Sequence, residues 1–308
     1  MSNEESQNLR NTNADRGSIA NTFKAGVNIE NNKIDIHNVI NNYSSTESEK
    51  SLDLINEIIE IQNFEPETIL IPAGSFWMGS DPGEGILGYE TPRHEVTLPA
   101  YRIGKYPVTN ALYQDFLRLQ AGTKVSPIIW NGERALPEGL EDHPVAGVTW
   151  YEALAYCEWL SKVTSRKYSL PNEAQWEKAC RGGKSYLYPW GDEFNPMRCN
   201  QGRPNVASVK AYPAQNEFGC FDLMGNVLQW TCTLWGKSRD WPDIKYSDPW
   251  KDDGRNDPSP RPGICRVLRG SSMEDKRGHR CSVRRGEDPG LTGVRGARYS
   301  FRVAMTIE

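Results

Sequence analysis

Residues 222–230 read DLMGNVLQW, a Gly-Asn turn that leads to a tryptophan. The sequence around it has a similar composition: from residue 66 onward Gly, Pro and Trp are frequent, and the strand-like runs are short. All ten tryptophans lie between Trp77 and Trp250, so the aromatic core belongs to this part of the chain, and we expect Trp77, Trp150, Trp190 and Trp230 to form it. Since no βαβ series is visible, we predict an irregular α+β domain over residues 64–308, with short strands and two main helices.

The two predicted helices carry end signals. The first covers residues 149–162 (TWYEALAYCEWLSK), where Thr149 is a suitable N-cap and Glu152, three residues later, completes a capping box. The second covers residues 172–180 (NEAQWEKAC); a proline precedes it and a Gly-Gly pair follows it. That pair is typical of a helix C-terminus.

The first 63 residues differ in composition, since they contain 13 Asn but no Trp, Cys or Pro. Residues 1–20 are polar enough to be disordered, and residues 23–43 alternate loosely, which suggests one or two short strands. Residues 51–61 (SLDLINEIIEI) place four apolar side chains on one helical face. That helix either packs on its own domain or serves as an adaptor or oligomerisation element. We therefore predict that residues 1–63 form an N-terminal module that binds an effector partner or self-associates.

Composition excludes some classes of protein. The chain has 308 residues and a net charge of −4, its mean hydropathy is −0.66, and no apolar run reaches the roughly 20 residues that cross a bilayer. We therefore expect no integral membrane protein. The N-terminus shows no secretory signal, and the seven cysteines include no CxxC. Reduced thiols in a cytoplasm are the resulting expectation.

The ordered motifs resemble the formylglycine-generating enzyme (sulfatase-modifying factor) family, whose fold is a variant of the C-type lectin fold. The matching motifs are Ile71–Ser80, Glu90–Val96, Lys105–Asn110, Pro144–Trp150, Leu170–Glu177, Tyr188–Gly191, Asn216–Gly219, Asp222–Trp230, Arg266–Ser272 and Phe301–Ala304. They cover residues 66–304 in one order, so the resemblance implies the C-type-lectin-like fold. Activity must be argued from the site, because fold alone does not carry function.

The resemblance also implies where catalysis would occur. Catalytic members hold a copper ion between two cysteines that follow the Arg-Gly-Gly-Ser motif, and thiolates are suitable ligands for Cu(I). Those positions fall at Asp275 and Arg280 here, and Cys281 is shifted by one residue. Copper- and oxygen-dependent oxidation of a target cysteine is therefore the disfavoured alternative. We predict that the protein is not an enzyme.

The same resemblance suggests two other metals, iron and calcium. The ergothioneine-type sulfoxide synthases hold iron with histidines, and this chain has only four, at no ligand-like spacing. Catalytic members place calcium ligands around a Gly-Asn-Val-x-Glu-Trp turn, where this chain has Asn226 and Gln229, the latter in place of the Glu. These two residues are weak calcium candidates, and the alternative is that they stabilise the turn by hydrogen bonds. No other cofactor is expected.

The segment between Arg266 and Ala304 is strongly basic. It holds ten Arg or Lys against four Asp or Glu, so its net charge is +6 and the rest of the chain carries −10. Such asymmetry indicates either a surface for an acidic partner or a patch neutralised by the protein's own acidic groups. Arg269, Arg285 and Arg302 occupy family motif positions, so we predict structural roles for them. Aromatic residues are scarce, which makes nucleic-acid binding an unfavoured interpretation.

The same segment resembles the variable proteins of diversity-generating retroelements. Their framework motifs correspond here to Arg269–Ser272, Ser282–Arg285 and Phe301–Val303. Three positions depart from that pattern: Ser271 replaces a glycine, Met273 replaces a tryptophan and Arg284 replaces a tyrosine. In this segment, mixed polar residues lie between rigid framework motifs. Binding sites on loops are commonly built in this way.

We therefore predict a bacterial, non-catalytic domain that binds a protein or a small molecule through residues 273–298. A retroelement could diversify this surface, and the domain could act in signalling or defence. A fixed binding domain is the alternative. The candidate ligand-binding residues are Met273, Glu274, Asp275, Lys276, His279, Arg284, Glu287, Asp288, Arg295 and Arg298.

Overall fold

A computed structural model describes residues 64–83, 85–119, 130, 136, 138–247, 249–275, 280–291 and 298–307. The predicted N-terminal module, residues 1–63, lies outside the described residues, and so do its expected strands and helix. Phe64–Glu308 forms one compact unit.

The predicted helices are confirmed, and the described residues add a third helix and a single helical turn. Helix α1 spans Asn110–Leu119, α2 spans Trp150–Thr164, α3 spans Glu173–Arg181 and the single turn α4 spans Ile244–Ser247. The expected capping box begins α2, where Thr149 N donates to the Glu152 carboxylate at 2.6 Å. Asn172 caps α3, and Gly182 in the left-handed region (φ 62°) ends it. These local signals decide where α2 and α3 begin.

The described residues also form ten short strands. They are β1 Thr68–Ile71, β2 Gly74–Met78, β3 His94–Leu98, β4 Tyr101–Gly104, β5 Tyr168–Ser169, β6 Leu228–Gly236, β7 Cys265–Arg269, β8 Arg284–Glu287, β9 Tyr299–Phe301 and β10 Ala304–Thr306. Three sheets result, in the orders β1-β4-β10-β5, β2-β3 and β8-β7-β6-β9. The predicted α+β class with short strands is confirmed.

The third sheet carries the C-terminal segment. In it β7 runs antiparallel to β6 and β8, whereas β9 runs parallel to β6. All nine residues of β6 are buried, as expected for a strand paired on both edges and covered on both faces. Because β10 begins only three residues after β9 ends, the chain passes directly from this sheet into the first one.

The tryptophan core differs from the expectation at two positions. Trp150 and Trp230 are buried, as predicted. Trp77 is 45% exposed, because it lies on the outer face of the β2–β3 hairpin with the Arg93 guanidinium over its ring. Trp190 is only half-buried. Both were expected in the core, and burial could not be assigned without knowing which face of each element is covered.

Two buried arginines hold the framework of the C-terminal segment. Arg269 donates to the backbone oxygens of Cys281, Ser282 and Val283, and it forms an ion pair with Glu177. Arg302 donates to the backbone oxygen of Gly104, at the end of β4, at 2.8 Å, and to the side-chain oxygen of Gln229 at 2.6 Å. The structural roles predicted for Arg269 and Arg302 are confirmed.

Candidate functional site

The site is formed where β7 ends and β9 begins. Arg269 at the end of β7 pairs with Gln229 on β6, and the start of β9 pairs with the start of β6. This register brings Glu274, in the loop after β7, next to Arg298, just before β9, and the two side chains form an ion pair. The Glu274 side chain is 56% exposed and that of Arg298 is 27% exposed. Two predicted residues therefore meet at the surface.

Asp275 is held in place at the same end of the sheet. Its Oδ2 accepts hydrogen bonds from Ser272 N at 2.7 Å and from Ser272 Oγ at 3.0 Å. Its Oδ1 accepts one from the Arg285 guanidinium at 2.9 Å. Gln201 Nε2 donates to the Asp275 backbone oxygen at 3.1 Å. Both carboxylate oxygens are thus engaged within the protein.

The Arg280 side chain is also bound within the protein. Its guanidinium donates to the backbone oxygen of Gly85 at 2.8 Å and to the buried Glu90 carboxylate at 3.1 Å. Ser282 Oγ donates to the second Glu90 oxygen at 2.8 Å and accepts a bond from Ser80 Oγ at 2.8 Å. The loop after β7 is therefore fastened to the 80–90 region by a chain of polar contacts.

These residues do not fit a copper site. The positions that the resemblance assigns to the two catalytic cysteines hold a carboxylate, Asp275, and a guanidinium, Arg280, and neither can supply a soft thiolate ligand. Cys281 does not substitute for them, because its Sγ contacts Cys180 Sγ at 2.7 Å in the interior. Burial raises the pKa of the Cys180 thiol well above its ordinary value, which disfavours the thiolate.

Three of the predicted binding residues are buried, which corrects their expected display at the surface. Met273 lies in the interior, and Gly202 N donates to its backbone oxygen at 2.7 Å. Arg284 donates to the Glu173 carboxylate at 2.6 Å, and burial lowers the pKa of this guanidinium. Glu287 accepts a bond from the Tyr299 hydroxyl at 2.7 Å and forms an ion pair with Arg239.

Arg284 is buried and not displayed at the surface as predicted, whereas Arg285 holds the Asp275 carboxylate, in agreement with its predicted structural role. Successive side chains on a strand point to opposite faces, so only one of the two can face the interior. The register places Arg284 opposite Arg269 on the inner side and leaves Arg285 half-buried beside Asp275. Arg285 is therefore the residue of this pair that belongs to the site. Only the alternation rule, combined with the register, identifies it.

The remaining predicted residues are dispersed or outside the described part. Asp288 is exposed, but it follows β8 at the far end of the β7–β8 pair, and its Oδ1 accepts from Gly290 N at 2.7 Å. Lys276, His279 and Arg295 lie outside the described residues. The structure thus brings Glu274, Asp275 and Arg298 together and separates Asp288 from them.

The calcium candidates do not fit a cation site. Asn226 Oδ1 accepts from Asn200 Nδ2 at 3.0 Å and from Ala207 N at 2.8 Å. Gln229 Oε1 accepts from Trp176 Nε1 at 2.9 Å and from Arg302, a cation. Oxygens used in this way have no lone pair directed at a metal ion. The geometry supports the alternative interpretation, in which both residues stabilise the turn.

Two features are absent from the part of the chain that the structure describes. Within these ranges, no three or more His, Cys, Asp or Glu side chains converge as metal ligands would. No described helix combines the length and the apolar composition needed to cross a bilayer.

Residues 58–307 match the family described as "Sulfatase-modifying factor enzyme 1-like domain". The chain therefore belongs to this family, whose fold is C-type-lectin-like. The predicted resemblance is confirmed. At the two positions that the resemblance assigns to the cysteine pair, this chain has Asp275 and Arg280.

Three known proteins are similar to this chain. The chain is 30% identical over 277 residues to "Inactive C-alpha-formylglycine-generating enzyme 2" of Bos taurus, covering 72% of this chain and 89% of that protein. It is 32% identical over 278 residues to "Serine/threonine-protein kinase pkn1" of Chlamydia pneumoniae, covering 82% of this chain but 41% of the kinase. This chain thus spans about two fifths of that relative.

The third similarity is structural. "Treponema denticola variable protein 1" superposes with a TM-score of 0.57 at 22% identity, covering 77% of this chain and 94% of that one. At this identity the likeness shows the fold alone.

Proposed function

We propose that the protein is a non-catalytic binding domain whose surface is formed at the junction of β7 and β9. Glu274, Asp275, Arg285 and Arg298 form its described part; Lys276, His279 and Arg295 are assigned to it from the sequence alone. The observation that carries this proposal is the state of Asp275. Where catalysis would need a cysteine, this carboxylate is bound on both oxygens by Ser272 and Arg285.

The character of the surface supports binding. Residues of both signs lie side by side on loops, while the framework beneath them is buried and hydrogen-bonded through Arg269. A rigid support reduces the backbone conformational entropy that is lost when a partner binds. The relative named as inactive supports a family branch without catalysis, although that name describes the bovine protein.

The enzymatic alternative is tested directly. The protein is incubated with a sulfatase-type cysteine peptide, copper and oxygen, and the peptide is examined by mass spectrometry beside an active formylglycine-generating enzyme. We expect an unchanged peptide with this protein. Conversion of its cysteine would overturn the proposal.

The binding surface is tested by photocrosslinking. A p-benzoylphenylalanine residue is introduced at position 274 or 298 and, as a control, at position 118, where Arg118 lies exposed on α1. We expect discrete crosslinked products in the source cells at 274 and 298 only. Equal products at position 118, or none at 274 and 298, would contradict the assignment of the surface.

Diversification by a retroelement is the finer form of the proposal. It is tested by deep sequencing of codons 270–300 across a cell population. We expect substitutions at exposed positions such as Glu274 and Asp288, and constancy at the buried Met273, Arg284 and Glu287. An invariant segment would leave a fixed binding domain as the function.

We further propose that residues 1–63 connect binding to an effector or to self-association, in a reducing cytoplasm. The support is the apolar face of residues 51–61 and the seven unpaired, buried cysteines. Light scattering on the full chain compares the wild type with Ile55→Asp/Ile59→Asp. A lower mass for the variant would support self-association, and an equal mass would exclude it for this face.

A further inference from the structure

A second candidate binding site lies in the loop from Tyr186 to Arg198. Two cavities, of about 410 and 370 Å³, share Trp190 and Arg198 as common lining residues. The larger is also lined by Asp192, Glu193 and Phe194. Tyr186, Leu187, Phe194 and Met197 are exposed around them, the last to 77%. Exposed apolar side chains that border cavities of this size are typical of a binding site.

The loop is pre-organised by its own hydrogen bonds. Tyr188 N donates to Gly191 O at 2.9 Å, and Leu187 N donates to Asp192 Oδ1 at 2.9 Å. Trp190 Nε1 donates to Glu193 O at 2.9 Å, which sets the orientation of the indole. The Tyr188 ring stacks on it with an interplanar angle of 8°. A ligand would therefore meet a shaped surface at little cost in ordering.

Arg198 gives the shared wall a positive charge. Its guanidinium carbon lies 5.8 Å from the centroid of the Trp190 ring, and one terminal nitrogen donates to Ala214 O at 2.6 Å. Its Nε is buried without a hydrogen-bond partner, and among the described residues no carboxylate pairs with this arginine. A guanidinium in this state favours an anionic ligand group.

The charges of the two cavities differ. The 370 Å³ cavity is lined by Arg181 and Lys184 as well as Arg198. Arg181 is paired with Glu177, and Glu217 lies 3.6 Å from Lys184, so Arg198 is the cation that these carboxylates leave unbalanced. The 410 Å³ cavity contains the carboxylates of Asp192 and Glu193, which repel an anion, together with the aromatic faces of Trp190 and Phe194. An anionic group is therefore favoured in the first cavity and an aromatic group in the second.

We propose that the Trp190–Arg198 cleft binds a peptide that presents an aromatic side chain next to a carboxylate. The carboxylate pairs with Arg198 and Lys184, and the aromatic ring packs on Trp190 and Phe194. Arginine–carboxylate geometry and aromatic packing supply the specificity.

The cleft borders the surface at the end of β7 without belonging to it. Cys281 N donates to Leu187 O at 2.8 Å, and Gly202 N donates to Met273 O at 2.7 Å, so the two regions are continuous. The proposal does not rest on the function assigned to residues 273–298. A ligand in the cleft contacts none of Glu274, Asp275 or Arg298.

The test uses the full chain with ¹⁵N-labelled tryptophan and follows the indole N–H signal of Trp190 by NMR. N-acetyl-L-phenylalanine carries the aromatic ring and the carboxylate, and its amide is the matched ligand without the charge. We expect the acid to shift the Trp190 signal with a Kd on the order of millimolar. The amide should bind about fivefold more weakly, the effect of one partly exposed ion pair.

Substitutions identify the cations that bind the ligand carboxylate. Arg198→Ala should abolish the preference for the acid, and Lys184→Glu, at an exposed position, should weaken acid binding without affecting the fold. Arg203→Ala removes an exposed arginine that lines neither cavity and should change nothing. The unshifted signals of the other nine tryptophans report that each variant is folded.

Two results would overturn the proposal. One is the absence of any Trp190 shift with either compound at 20 mM. The other is equal affinity for the acid and the amide. Neither result bears on the crosslinking at positions 274 and 298. A cleft that does not bind the ligand can therefore be distinguished from an incorrect proposed function.

Discussion

The Arg284 guanidinium at the start of β8 donates a 2.6 Å hydrogen bond to the Glu173 carboxylate in the first turn of α3. Both side chains are almost completely withdrawn from solvent, with 8% and 1% exposed. Arg284 also donates to the backbone oxygen of Tyr246 at 3.1 Å. This contact joins the third sheet to α3, and it makes Arg284 a structural support for the binding surface.

Arg284→Ala should therefore destabilise the fold far more than Arg285→Ala. Removing one partner of a buried ion pair leaves the Glu173 charge uncompensated, which costs about 3–5 kcal/mol. The Arg285–Asp275 pair is partly solvated, and its loss should cost about 1 kcal/mol or less. Urea denaturation measures both free energies of unfolding. Glu173→Gln/Arg284→Met should recover part of the loss, and equal costs for the two single variants would contradict the structural role.

Asp222 should make stability depend on pH. Burial raises the pKa of this carboxyl from 3.8 to about 7, against the opposing effects of the Asn226 hydrogen bond and the Arg302 charge. The folded state then binds the proton more tightly than the unfolded state. Stability should fall as pH rises from about 4 to about 7 and level off above it.

Asp222→Asn isolates this effect, since the amide oxygen can still accept the 2.8 Å bond from Asn226 Nδ2. The variant's stability relative to wild type should rise by roughly 4 kcal/mol between pH 4 and pH 8. Urea denaturation at several pH values within the folded range measures the difference. Parallel pH profiles would show that Asp222 does not titrate in this interval.

Gly286→Ala should disrupt the edge of the third sheet. A Cβ at Gly286 would lie 2.0 Å from Cδ1 of the buried Trp235, a distance that no side-chain adjustment of alanine can relieve. We expect a loss of about 3 kcal/mol or more, at the upper end of overpacking costs. Thermal unfolding measures it. Gly83→Ala, whose Cβ would meet nothing closer than 3.8 Å, is the control and should leave Tm unchanged.

Calcium should not raise the melting temperature. A ligand that binds only the native state must stabilise it, but the side-chain oxygens of Asn226 and Gln229 already accept protein hydrogen bonds. Thermal unfolding in millimolar CaCl₂ and in EGTA should give the same midpoint. A midpoint that rises with calcium concentration would contradict this account of the turn.

The helices illustrate how far local sequence reaches. The capping boxes at Thr149 and Asn172 specified α2 and α3, because a cap is decided by residues three positions apart. Helix α1 escaped prediction because its N-terminus has only a 3.4 Å bond from Leu112 N to Thr109 Oγ1. The spacing of its buried residues Tyr113 and Phe116 was the one signal that could have revealed it.

The site was predicted less completely than the fold. The sequence located the surface at residues 273–298 and identified Glu274, Asp275 and Arg298 as candidates, and these meet in the structure. It assigned Arg284 to the surface, where the structure buries it, and it gave Arg285 a structural role, with which the bond to Asp275 agrees. Charged side chains carry no hydrophobic pattern, so nothing local reveals which of two adjacent arginines is buried.

The sequence by itself determined the family, the α+β class and the loss of the copper ligands at positions 275 and 280, because these depend on residue identity and on short spacings. Only the tertiary structure decided which charges are buried and that Glu274 meets Arg298. It also decided that Trp190 and Arg198 form a cleft with Gln215, Asn216 and Glu217. The physical reason is that these relationships join residues distant along the chain, and strand register and packing bring them together.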